Sequence, residues 1–153
     1  EYKSGITFET SSAIVKGTKF KMEVTNSLDR YTYIFAQDTD RSSYVLFPYT
    51  PKHSPYCGIT GTRLFPKDYS MLADEFGNKD YMAIVVTKQP IDFKALNESI
   101  NSQQGSYEQR ESSALKNQLI SEVRFDSDGA NIRFETDDAK DGVVAMVIAV
   151  DKR

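Results

Sequence analysis

Residues 143–150 read VVAMVIAV, the longest apolar run in the chain. Its length suits a strand and falls well short of the roughly 18 apolar residues that a membrane-crossing helix needs. Apolar side chains fall on both of its faces, so both faces must be covered by other parts of the chain. Residues 81–87, YMAIVVT, have the same character and are closed off by Pro90. Residues 31–37, YTYIFAQ, are again apolar on both faces and rich in β formers, which marks a central strand. Residues 19–25, KFKMEVT, differ: Phe20, Met22 and Val24 alternate with polar residues, the pattern of a half-buried strand. With the turn at 26–30, the DTDRSS turn at 38–43 and a strand over 44–47, these segments predict an antiparallel meander of 19–25, 31–37 and 44–47.

The remaining elements follow from local signals. Residues 63–65 suit a short edge strand, and 68–79 read as loop with a turn at Phe76-Gly77-Asn78. After Pro90, the residues Ile91, Ala95, Leu96 and Ile100 have helical spacing, with Asp92 placed as N-cap. Across the polar link NSQQGS at 101–106, a second stripe of Tyr107, Ala114, Leu115, Leu119 and Ile120 predicts a helix over 107–120. That stripe reads first as packing on the domain and second as a partner-binding face. Residues 123–125 and 132–134 flank Asp128-Gly129, a hairpin signal, and DDAKDG at 137–142 turns the chain into the final strand. The sum is a mainly β fold: a predominantly antiparallel β-sandwich, somewhat immunoglobulin-like, with two α-helices inserted near residues 92–120. Residues 1–153 read as a single domain.

Composition narrows the function. The chain has 153 residues, with 19 Lys plus Arg against 22 Asp plus Glu, for a net charge of −3. That balance argues against nucleic acid as a partner. Nine Tyr, nine Phe and no Trp favour half-buried strands. One Cys excludes an internal disulfide and any zinc site of several thiolates. The chain starts at Glu1 without a Met or an apolar signal region, which points to a mature or trimmed fragment whose targeting segment is lost.

One segment stands apart. Residues 41–67, RSSYVLFPYTPKHSPYCGITGTRLFPK, hold four of the five prolines, the lone His53, the lone Cys57, and no Asp or Glu. Arg41, Lys52, Arg63 and Lys67 give it +4, leaving −7 for the rest of the chain. Tyr44, Phe47, Tyr49, Tyr56 and Phe65 are interleaved with these cations, a mixture that protein interfaces favour. The competing reading is that the aromatics close the end of the sheet and the cations are merely solvated. Partner contact is expected through Tyr49, His53, Tyr56 and Arg63.

Chemistry is less well supported. His53 and Cys57 invite a nucleophilic dyad, but no third group in the segment orients the base, and a buried Cys with a backbone-bonded His explains them as well. As metal ligands the two are too few. Asp126, Asp128 and Asn131, or Asp137, Asp138 and Asp141, suggest calcium, yet counting from Asp137 puts Ala139 third and Ile148 twelfth, which breaks the loop pattern. CGITGTR lacks the Lys-Ser/Thr ending of a P-loop, although its glycines with Arg63 suit a backbone nest for an anion.

An ordered series of motifs resembles family 4384 of the domains of unknown function. It comprises GTKFKMEVTNS, YTYIFAQDTDRSSYVLFPY, RLFPKD and FGNKDYMAIVVTKQPID, covering residues 17 to about 100. SSYVLFPYTPKHSPYCGITGTRLFPKDYSM is similar to the version found in Bacteroidetes proteins. The resemblance implies a β-sandwich accessory domain, attached in bacteria to caspase-like peptidase or kinase modules and not itself catalytic. Tyr56-Cys57-Gly58 lacks the Gln-Ala-Cys context of caspases, so no active-site residue carries over.

The expectation is therefore a non-enzymatic binding or assembly module of a bacterial cell-envelope or accessory system, periplasmic or envelope-located. Its partner would be another protein, with no cofactor. The alternatives are a Cys–His hydrolase and a glycan- or peptidoglycan-binding module using exposed Tyr rings.

Overall fold

In the computed structural model the chain runs through β1 (Tyr2–Ser4), β2 (Thr7–Glu9), β3 (Lys19–Phe20), β4 (Met22–Thr25), β5 (Arg30–Gln37), β6 (Ser43–Phe47), β7 (Tyr56–Cys57) and β8 (Thr62–Phe65). It continues with β9 (Met71–Leu72), β10 (Lys79–Thr87), α1 (Phe93–Ser102), α2 (Tyr107–Leu115), a 3-10 turn, β11 (Arg124–Ser127), β12 (Ile132–Glu135) and β13 (Val143–Asp151). The structure describes residues 2–4, 6–26, 28–58, 62–120, 123–127, 131–135 and 142–153. The fold is mainly β and sandwich-like. Among the described residues no helix is long and apolar enough to cross a membrane.

One large sheet has the order β1-β2-β13-β10-β5-β6, with β7 also paired to β5. All its pairings are antiparallel except β2 with β13. The three runs that are apolar on both faces, β5, β10 and β13, lie side by side at its centre, as their composition requires. Period-2 alternation splits each run between two cores. Ile34, Ile84 and Met146 form one row on one face, and Phe35, Ala83 and Val147 form a row on the other.

The second face belongs to the helices. Ala83 and Ala145 are small, which lets α1 and α2 come close to the strands, and Leu96, Ile100, Tyr107 and Leu115 fill the layer. Asp92 caps α1 by accepting from Ala95 N at 3.0 Å. Ser106 and Gln109 form a reciprocal capping box at the start of α2. Gly105 precedes it at φ +109°, a conformation that strains any other residue, and a Cβ there would displace the Gln109 carboxamide of the capping box. Side chains then tie the helices to strands. Asn101 Oδ1 accepts from Ser43 N at 2.7 Å and its Nδ2 donates to Ser43 O at 2.8 Å. Glu108 accepts from Ile6 N and Thr7 Oγ1, and Arg110 donates to Arg41 O. The stripe expected to form one helix over 107–120 stops at Leu115, and Leu119 instead bridges to Val143.

The first face is covered by three two-stranded ribbons, β3–β9, β4–β8 and β11–β12. Here the expected meander is corrected. Residues 19–25 do not pair with β5; they split at Lys21 and pair with β9 and β8. The reason is their one-sided pattern. Phe20, Met22 and Val24 pack on the core while the opposite side faces water, so the segment serves as a cover and cannot serve as a strand buried on both faces. The β5–β6 hairpin forms as expected, with its turn held by Asp38 N to Ser42 O at 2.8 Å. The β11–β12 hairpin also forms, while its Asp128-Gly129 turn lies outside the described residues.

Lys152 fastens the last strand. Its side chain is fully buried, and Nζ donates to Asp74 Oδ1 at 2.6 Å, Phe76 O at 2.6 Å and Asp80 Oδ1 at 2.8 Å. Burial pulls its pKa down, but the hydrogen bonds to Asp74 and Asp80 outweigh that and leave it raised.

Candidate functional site

The proline-rich segment folds into a network around His53. Pro48 is buried and follows a cis peptide bond, as does Pro66. Tyr49 OH donates to Asp68 Oδ2 at 2.9 Å, and His53 Nε2 lies 3.0 Å from the same oxygen. A carboxylate only accepts, so the proton sits on Nε2. Nδ1, 2.7 Å from Thr50 Oγ1, then accepts from that hydroxyl in the neutral ring. The Tyr49 hydrogen bond, with help from His53, holds the Asp68 carboxyl below its ordinary range. Rings reinforce the network: Tyr49 and His53 centroids are 4.3 Å apart, and Phe47 meets Phe65 edge-on at 4.4 Å.

Of the four residues expected to contact a partner, Tyr49 and His53 come together in this network. The other two lie elsewhere. Tyr56 is exposed on β7, edge-on to Tyr31 at 5.5 Å. Arg63 is exposed on β8, opposite Val24. Cys57 is buried and its Sγ donates to Pro55 O at 3.7 Å, while both ring nitrogens of His53 face other residues. The pair makes no dyad in this arrangement. Arg41 is bound into the α2 anchor through its carbonyl and its NH2 contact with Gly105 O. The carboxylates considered for calcium fall largely outside the described residues, as do residues 59–61 of the expected anion nest.

The segment's most consequential contact is at its far end. Tyr69 packs edge-on against Tyr49 at 5.3 Å and lines a neighbouring cleft of about 420 Å³. Eight large apolar side chains are exposed among the described residues, and four of them, Tyr44, Tyr69, Leu72 and Phe76, line this cleft. Phe76 is 69% exposed, the most of the eight. The elements that position these rings are different. Tyr44 stands on β6, Tyr69 sits beyond the His53 network, and Phe76 is presented by a turn whose Gly77 has φ +62°. Asp74 Oδ1 accepts from Phe76 N at 2.9 Å and fixes that turn, while Lys152 binds both Asp74 and the carbonyl of Phe76.

Three carboxylates, Asp38, Asp74 and Asp80, also line the cleft. Burial first, and then the charges of Asp38, Asp80 and Asp74 with the Tyr69 phenol, push the Tyr44 hydroxyl above its ordinary pKa. The hydrogen bond from Lys152 keeps Asp74 low and ionised. A second, larger groove of about 580 Å³ runs between the sheet and the β4 and β12 ribbons, floored by core side chains such as Ile84 and Met146.

The cleft lies beyond the loop that the sequence singles out. Tyr69 and Phe76 belong to a stretch read only as loop. The available signal was Phe76 itself, an aromatic set between Glu75 and Gly77 in a turn.

The family model described as Domain of unknown function (DUF4384) matches residues 14–90, half of the chain, and the chain belongs to this family. Every residue lining the aromatic cleft lies inside that span, whereas the larger groove extends beyond it on both sides. No curated protein and no solved structure matches the chain.

Proposed function

We propose that this member of the family is a non-enzymatic binding module, and that it holds a partner protein at the cleft formed by Tyr44, Tyr69 and Phe76. The observation that carries this reading is the convergence of exposed rings. Apolar side chains scattered singly over a surface need no explanation, but half of the exposed large ones among the described residues meet at one concavity. Exposed aromatics held by a rigid frame are what binding hot spots use. In this reading Tyr49 and His53 are supports: with Asp68 they set the position of Tyr69. Tyr56 and Arg63 lie on other strands and have no part in the cleft. The fixed bonding of His53 and the burial of Cys57 support a non-catalytic role. We place the module in a bacterial cell-envelope or accessory system, and the family resemblance supports the accessory role.

A photo-crosslinking residue substituted for Phe76 in the native host tests the reading. The expected result is one discrete protein adduct, lost when Tyr44→Ala is added. Adducts from positions 56 and 63 but none from 76 would move the site to the β7–β8 side. Retention on a glycan array, abolished by Tyr44→Ala, would replace the protein partner with a sugar.

A further inference from the structure

Resting on the reading of the cleft as a protein-binding site, we infer that the group it recognises is a cation: a lysine or arginine side chain of the partner, seated among Tyr44, Tyr69 and Phe76 with Asp38 beside it. Two independent features of the cleft point the same way.

The first is the rings. Tyr44 and Tyr69 are each nearly half exposed, and Phe76 is more so. The face of an aromatic ring carries negative quadrupole potential and attracts ammonium and guanidinium groups. The cleft is open to water, so such a side chain can enter while its alkyl stem lies along Leu72.

The second is the charge balance. Asp38, Asp74 and Asp80 all line the cleft. Lys152 sits behind Asp74 and Asp80, one ammonium against two carboxylates. Lys79 also lines the cleft but is committed to Glu9 and Asp151. Among the described residues the Asp38 carboxylate accepts only from the amide and hydroxyl of Thr39, and no cation pairs with it. The site is therefore net acidic at its aromatic wall. The field is felt there, since all three carboxylates oppose ionisation of the Tyr44 phenol. An anionic group would be repelled, and a neutral apolar one would leave Asp38 unanswered.

Nuclear magnetic resonance titration of the isotope-labelled chain tests this directly. The probes are the Nα-acetyl methylamides of lysine, arginine and norleucine, which share an alkyl stem and differ in the terminal charge. Lysine and arginine should shift the amides of Tyr44, Tyr69 and Phe76, with affinity about tenfold above norleucine. Raising the salt from about 0.05 to about 0.5 M should weaken them severalfold. Asp38→Asn should erase most of the preference for charge while leaving the spectrum otherwise unchanged. Equal shifts with norleucine would overturn the cationic assignment and leave the binding module standing. No shift with any probe, together with no adduct from position 76, would remove both. Shifts confined to residues outside the cleft would also overturn the assignment.

Discussion

The two faces of the central sheet are covered by different means. On one face, α1 and α2 lay down fully buried side chains such as Ile100 and Leu115 and fasten themselves through Asn101 to β6, through Glu108 to the start of β2 and through Arg110 to the β5–β6 turn. On the other face, three ribbons do the covering, and Phe20, Met22, Val24 and Ile132 are only half buried. A helix satisfies its own backbone and can press its whole apolar stripe onto a sheet. A two-stranded ribbon is short, twisted and narrow, and three of them leave gaps. Both the cleft and the groove open on the ribbon side. Packing strength is concentrated on the helix face, and open space on the ribbon face.

Substitutions can break this contrast, and the largest effect belongs to the helix face. Ile100→Ala is predicted to cost about 2–5 kcal/mol, whereas Met22→Ala on a ribbon should cost about 1 kcal/mol or less. Urea unfolding of both variants checks the pair, and equal losses would remove the contrast.

Glu111 gives the helix face a pH dependence. It is fully buried on α2, and neither carboxyl oxygen has a hydrogen-bond partner among the described residues. Burial, with Glu108 adding repulsion, raises its pKa well above the ordinary value. The folded chain thus keeps a proton that the unfolded chain releases. Its stability is full below the ordinary carboxyl pKa and falls by about 1.4 kcal/mol per pH unit as pH rises toward the raised value. Glu111→Gln should flatten that slope in unfolding curves measured across pH; an unchanged slope would show that Glu111 is not its source.

Lys152→Met sharpens the ribbon side. Removing the ammonium should cost about 1–2 kcal/mol, since Asp74 and Asp80 stay partly in water. Crosslinking at position 76 should fall with it as the Phe76 turn loosens, even where the melting temperature drops little. Phe76→Ala is the smallest case. It should change stability by less than about 0.5 kcal/mol while abolishing partner binding, a separation read by calorimetry beside the crosslinking assay.

Much of the fold was legible because composition constrains it. Strands β5, β10 and β13 announced their central place by being apolar on both sides, and Asp92 announced the start of α1. The fate of residues 19–25 was not legible. An alternating strand shows which of its faces is buried, and nothing local tells whether it joins a sheet or lies across one. Lys152 offers no hint of burial either, because its partners lie more than seventy residues away. The cleft was hidden for the same reason. Tyr44, Tyr69 and Phe76 come from separate elements, and their meeting depends on tertiary structure. The His53 segment was legible as unusual, though its acid-free composition hid the fact that Asp68, one residue past its end, would complete its network.

Asn101 carries a consequence for how this domain meets others. Its carboxamide presents an N–H and a C=O to Ser43, the same pair that a neighbouring peptide unit would offer. At that point the side chain stands in for the next strand of the sheet. A β-sheet with a bare margin invites another chain to extend it, which leads to indiscriminate association and aggregation. By occupying that margin at Ser43 with one residue of α1, the protein leaves no bare peptide unit there for another strand to pair with.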